Sequence, residues 1–103
     1  MKLPEKFTIN SQEIKIEIVD KLNDQNFGEY NCITDTIKIA THVEDDNKDF
    51  VKLKDEQILN TVIHEILHCF QWHSTGDTSE EESNTYAGYF VEFLKSTKLI
   101  EKL

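Results

Sequence analysis

The hydrophobic period of this chain changes once along its length. Up to about residue 41, apolar and polar residues alternate; from Asp55 onward, apolar residues return every three or four positions. A period of two belongs to half-buried strands and a period of 3.6 to amphipathic helices. Strands followed by helices, without strict alternation, describe an α+β fold with a meandering sheet. At 103 residues the chain is read as one domain spanning 1–103 with a single modest core.

The strands read as follows. Phe7, Thr8 and Ile9 alternate, and Asn10-Ser11-Gln12 supplies turn residues. Ile14, Ile16 and Ile18 then fall on one face, with Lys15 and Glu17 on the other. Lys21 to Gly28 reads as a loop. Glu29–Cys32 and Thr36–Thr41 are two further strands, the second placing Ile37 and Ile39 inward. His42 to Lys54 is acidic and irregular, anchored by Phe50, Val51 and Leu53.

A first helix starts at Asp55 and runs to about Ser74, where Gly76 and Asp77 break it. A second helix reaches about Lys98. Thr78 with Glu81, and Ser79 with Glu82, both fit a capping box at its start.

Twenty acidic residues against eleven basic ones give a formal charge of −9, and all eleven are lysine. This excludes the basic, arginine-bearing footprint of nucleic-acid binding and disfavours anionic membranes. No apolar run approaches the ~18 residues of a membrane-spanning helix. Met1 to Lys6 lacks a signal peptide's apolar stretch, and two cysteines, Cys32 and Cys69, make no disulfide framework. Reduced thiols and a cytoplasmic location are expected, with Cys69 filling core space.

The chemistry concentrates in His64-Glu65-Ile66-Leu67-His68, an HExxH motif inside the first helix. Histidines at i and i+4 stack on one helical face and can bind one metal ion. With His64 at zero and about 100° per residue, His68 lies near 40° and Glu65 near 100°. Ile58, Leu59, Val62, Ile63, Ile66, Leu67 and Phe70 fill a separate apolar arc, complete without the histidines. Glu65 is placed to accept a proton from water polarised by the metal. The bland alternative is two surface histidines on an amphipathic helix.

Such a site wants a third protein ligand. His73 follows His68 by five residues, which does not fit the HExxHxxGxxH spacing, and the glycine of that motif is absent; it reads as a solvated residue near the helix end. The candidates lie in Glu80-Glu81-Glu82, where the second helix opens. Glu81 falls outside that helix's apolar arc. Glu80 and Glu82 sit on its two shoulders, and geometry leaves both open. Ser83 and Ala87 are small and lie on the side of Glu80. Asn84 lies one turn on and could orient a histidine ligand. Glu82 has an alternative role in the cap. Glu80 is therefore preferred, with Glu82 the alternative.

These residues carry a resemblance. His64 to His68 followed by Glu80-Glu81-Glu82-Ser83-Asn84-Thr85-Tyr86-Ala87 resembles the gluzincin pattern of HExxH plus a downstream ExxxD or ExxxN segment. It is also similar to the ExEANxFA stretch of ImmA/IrrE-type peptidases of phages and mobile elements. Gly28-Glu29-Tyr30 with Thr36-Ile37-Lys38-Ile39 resembles a hairpin of small phage-encoded zinc metallopeptidases. Ser83 departs from the pattern, standing where alanine is usual.

The resemblance implies a zincin-like fold: a small twisted antiparallel sheet on the HExxH helix, with the glutamate-bearing helix alongside. It implies one zinc ion on His64, His68 and Glu80, Glu65 as general base, and a protein or peptide substrate. In such folds an edge strand above the metal holds the peptide by strand addition. Thr36–Thr41 is the expected strand here. His42 at its end, and Asn84, are candidate contacts to substrate or transition state; Tyr30, Tyr86 and Tyr89 are candidates for the same task. The competing function is a metal-bound but non-proteolytic interaction module. Glu65 discriminates, because a purely structural site has no need of it.

Overall fold

The computed structural model describes residues 3–96. Four strands form one sheet: β1 (Lys6–Ile9), β2 (Gln12–Val19), β3 (Gly28–Asn31) and β4 (Thr36–Ala40), in the spatial order β1-β2-β4-β3. A separate two-stranded ribbon follows, β5 (His42–Glu44) with β6 (Phe50–Lys52). Two helices complete the described residues, α1 (Asp55–Thr75) and α2 (Glu80–Ser96). The α+β order is as expected. The second helix's expected end at Lys98 lies outside the described residues.

The sheet is mixed, not antiparallel. β1 pairs with β2 and β3 with β4 antiparallel, but β2 pairs with β4 parallel. After β2 the chain crosses over residues 20–27, runs back along the sheet edge as β3, and returns between β3 and β2 as β4. Burial explains the order. Ile37, Ile39 and Ala40 of β4 are fully buried, which suits a central strand. Glu29 and Asn31 are exposed, which suits an edge. The expected substrate-bearing edge strand, Thr36–Thr41, is thus interior, and β3 holds the edge.

Two turns carry the hairpins. Asn10 and Ser11 adopt φ of 51° and 64°, the paired left-handed conformations of a tight β-turn. Between β3 and β4, Asn31 Oδ1 accepts the Ile33 and Thr34 N–H groups at 2.9 and 3.3 Å. Asp35 then turns with φ 49°.

Ile14, Ile16, Ile37 and Ile39 pack against Leu53 and against Ile58, Val62 and Cys69 of α1. Ile18 shares their strand face but lies half exposed, beyond the main core. A second cluster joins Leu59 and Ile63 of α1 to Ala87 and Val91 of α2. α1 is therefore the middle of three layers, apolar on two sides, and this explains its wide apolar arc. Each fully buried isoleucine contributes about 1.5–3 kcal/mol.

The helix ends are defined by local chemistry. Gln57 Oε1 accepts the Lys54 N–H at 2.8 Å before α1. Gly76 closes α1 with φ 76°, its N–H on the Trp72 carbonyl. Ser79 Oγ, not Thr78, caps α2 by accepting the Glu82 N–H at 3.2 Å. No described helix is long and apolar enough to cross a membrane.

Candidate metal centre

α1 presents His64, Glu65 and His68 toward the space between itself, β3 and the start of α2. The two imidazoles stand edge to face, with centroids 4.6 Å apart. Glu80, the first residue of α2, bridges them with one oxygen each: Oε1 lies 2.6 Å from His68 Nε2, and Oε2 lies 3.2 Å from His64 Nε2. Among the described residues, His64, His68 and Glu80 form a group whose ligand atoms all lie within 4.8 Å of one another. Tetrahedral zinc with bonds near 2.0–2.1 Å sets donor atoms about 3.3 Å apart. The 3.2 Å His64–Glu80 separation is close to that spacing, the 2.6 Å His68–Glu80 contact is a direct hydrogen bond, and the three residues could together hold a metal ion.

Glu82 is not in this group. Its carboxylate takes a hydrogen bond from Gln71 Nε2 at 3.4 Å. The capping geometry decides between the two glutamates. With Ser79 as cap, Glu80 occupies the first helical position facing α1, and Glu82 the third.

His68 is held from behind. Its Nδ1 lies 3.2 Å from Ser83 Oγ and 3.3 Å from Gln71 Oε1. A proton on Nδ1 donated there leaves the Nε2 lone pair for a metal. Ser83 is fully buried. Gln71 also accepts the Ser79 N–H at 2.8 Å, tying α1 to the start of α2. Sequence reasoning missed Gln71 altogether and noted Ser83 only for its size and its departure from the family pattern. The available signal for Gln71 was its i+3 spacing from His68. Asn84, the candidate for orienting a histidine, lines the cleft together with His64. Burial, with His68 nearby, holds the His64 imidazole below its ordinary pKa against the pull of Glu80 and Asn84. A neutral imidazole is the ligand form.

Glu65 is 6% exposed, has no hydrogen bond to any described residue, and lines the cleft. Burial raises its pKa to about 7; His68 opposes the rise, while Glu80 and Glu29 add to it. A carboxyl near neutrality suits proton transfer in either direction. The cleft has a volume of about 610 Å³, with Phe27, Gly28 and Tyr30 on its β3 side and Asn60 and Thr61 on its α1 side.

Gly28 permits the close approach of the two walls. A Cβ there would lie 2.6 Å from Thr61 Cγ2 and 3.1 Å from Glu65 Cγ. The Phe27 carbonyl accepts the Ala40 N–H at 2.8 Å, facing β4. Backbone alternation then turns the polar groups of Gly28 and Tyr30 toward the open edge.

Three expected residues lie elsewhere. His42 does not line the cleft. Its ring stacks on Phe50 at 4.5 Å, and its Nδ1 lies 2.7 Å from Thr41 Oγ1. The cause is topological: β4 is interior, and the chain leaves it into the β5–β6 ribbon. Tyr86 and Tyr89 are exposed on α2 and are not among the cleft residues.

Tyr30 does line the cleft, but its hydroxyl is engaged. It donates to Asp35 Oδ1 at 2.6 Å, and His73 Nε2 meets the same oxygen at 2.9 Å. His73 is therefore not solvated; it ties the end of α1 to the β3–β4 turn. Burial and the Asp35 bond hold the Tyr30 hydroxyl well above its usual pKa. Cys69 sits buried in the sheet-side core, its thiol pushed up by burial. Both cysteines are free.

Comparison with protein-family models, with curated proteins and with solved structures gives no match for this chain.

Proposed function

We propose that this chain is a zinc-dependent peptidase of minimal gluzincin-like, ImmA/IrrE-like type, acting in the cytoplasm on a protein or peptide. The observation that carries the reading is Glu65: a largely buried acid, without a hydrogen bond to any described residue, whose carboxyl opens onto the cleft beside three convergent ligands. A purely structural metal site gives no reason to bury such a group.

His64 and His68 would hold the ion through Nε2, and Glu80 through its carboxylate. Bound zinc supplies Lewis acidity, polarising a carbonyl and acidifying water. Glu65 takes a proton from the attacking water as its oxygen bonds to the peptide carbonyl carbon. The same carboxyl then returns that proton to the leaving nitrogen as the C–N bond breaks. Ser83 and Gln71 fix the His68 imidazole throughout. The outward backbone groups of Gly28 and Tyr30 pair with an extended substrate along β3.

The test is a cleavage screen of a mixed peptide library with zinc-loaded protein, followed by mass spectrometry. Glu65→Gln should retain one zinc per chain and lose cleavage by about 10²–10⁴-fold. Unchanged cleavage in that variant overturns the mechanism. Stoichiometric zinc without cleavage of any peptide favours the non-proteolytic interaction module.

A further inference from the structure

The outer face of the sheet carries a row of charges that stops at the open edge. Glu17 of β2 sits opposite Lys38 of β4, and Lys38 sits opposite Glu29 of β3. The signs alternate across three strands, and the row ends on an anion. Among the described residues no strand lies beyond Glu29, because β3 is an edge of its sheet. Among the described residues Glu29 makes no ion pair within 4 Å, Lys38 included. The neighbouring row ends differently. It runs Lys6, Lys15, Thr36, Asn31, and reaches the edge on an amide.

The cleft beside this edge has the same sign. Glu65 and Glu80 line it, Glu29 lies at its edge, and among the described residues no lysine lines it. The chain as a whole carries −9. A field of that sign steers cations inward over roughly a Debye length, ~8 Å at physiological salt.

We infer that the segment bound along β3 carries a lysine or arginine directly opposite Glu29, so that the site takes cationic peptides and Glu29 is the residue that selects them. This rests on the docking of an extended peptide along β3 proposed above. A strand added to β3 places its residue opposite Glu29 on Glu29's own face, at the distance of a cross-strand pair. A cation there continues the alternation Glu17, Lys38, Glu29. An acid there meets a like charge. Two residues along, opposite Asn31, the sheet presents no anion, so the requirement falls on one position of the peptide.

The experiment is a positional scan of blocked, fluorescently labelled octapeptides. Each position in turn is held as lysine, glutamine or glutamate, and the rest are mixtures. Binding is read by anisotropy on zinc-loaded protein, and hydrolysis of the same pools by mass spectrometry. One position should favour lysine over glutamine by about two- to fivefold, and glutamate should bind more weakly still. Glu29→Gln should flatten that preference and Glu29→Lys should turn it toward glutamate. Glu29 is exposed, so both variants are expected to fold, and circular dichroism checks this.

A scan without charge preference, a preference unchanged in both variants, or no binding by any pool overturns the inference. Charge-selective binding without hydrolysis supports the role of Glu29 and removes the peptidase reading. Hydrolysis indifferent to charge does the reverse.

Discussion

Ser83 Oγ lies 3.2 Å from His68 Nδ1, on the far side of the imidazole from Glu80. The hydroxyl is fully buried between the helices. It orients the ring whose other nitrogen faces the ligand cluster. Ser83→Ala should lower zinc affinity by about tenfold, since a metal-ligand histidine loses part of its outer support. Gln71 retains a hold on Nδ1, so the loss should stay below that of a ligand deletion. Competition with a chromogenic chelator measures it.

Glu80 and Glu82 separate cleanly by metal content. Glu80→Ala should cost ~100-fold or more in zinc affinity, because it deletes a ligand. Glu82→Ala should leave stoichiometric zinc, because Glu82 is spent on Gln71. Elemental analysis after desalting reads both. Retention by the first variant and loss by the second would reverse the ligand assignment.

Gly28→Ala should destabilise the fold by about 1–3 kcal/mol, as overpacking does. The added Cβ meets Thr61 Cγ2 at 2.6 Å, and that methyl sits on a helix that cannot easily retreat. Thr61→Ser removes the methyl and keeps the hydroxyl that bonds the Gln57 carbonyl at 2.8 Å. The double variant should therefore recover stability relative to Gly28→Ala alone. Urea denaturation of the four proteins gives the coupling energy.

Asp35 links stability to acid pH. Burial pushes its carboxyl up, but the Tyr30 hydroxyl and the bond and charge of His73 together bring it below 3.8. A carboxyl depressed by folding contributes stability above its unfolded pKa, and that contribution is lost as pH falls through the native value. Asp35→Asn should cost about 1–3 kcal/mol at pH 7. The gap to wild type should narrow as pH drops below 3.8. Urea midpoints at pH 7 and pH 3 check the sign.

The sequence was most informative where periodicity and chemistry fell in one element. The HExxH histidines and the apolar arc of α1 come from the same 21 residues; the structure brings His64 and His68 together and buries Ile58, Leu59, Val62 and Ile63, while Phe70, expected in the arc, is half exposed. Sheet order did not read. The parallel β2–β4 pairing depends on a crossover over residues 20–27, whose composition marks a loop without giving its direction. That one misreading displaced two others: β4 became interior, and His42 was carried away from the cleft. His73 was misread because its partner, Asp35, is 38 residues away. The choice between Glu80 and Glu82 turned on which hydroxyl caps α2. Thr78 and Ser79 fit the motif equally well on paper, and a one-residue shift rotates every side chain by about 100°.

The layering of the helices has a consequence for how the molecule comes apart. α2 packs on α1, and its buried residues Ala87 and Val91 face Leu59 and Ile63 rather than the sheet. An ion gripped by His68 and Glu80 would staple that outermost layer across an interval of 12 residues, closing a short loop in the unfolded chain. Chelation would then loosen the molecule from the outside inward. Amide exchange should quicken in α2 first, while the β2–β4 ladder keeps its protection, so metal supply would govern the exposure of this helix to proteolysis.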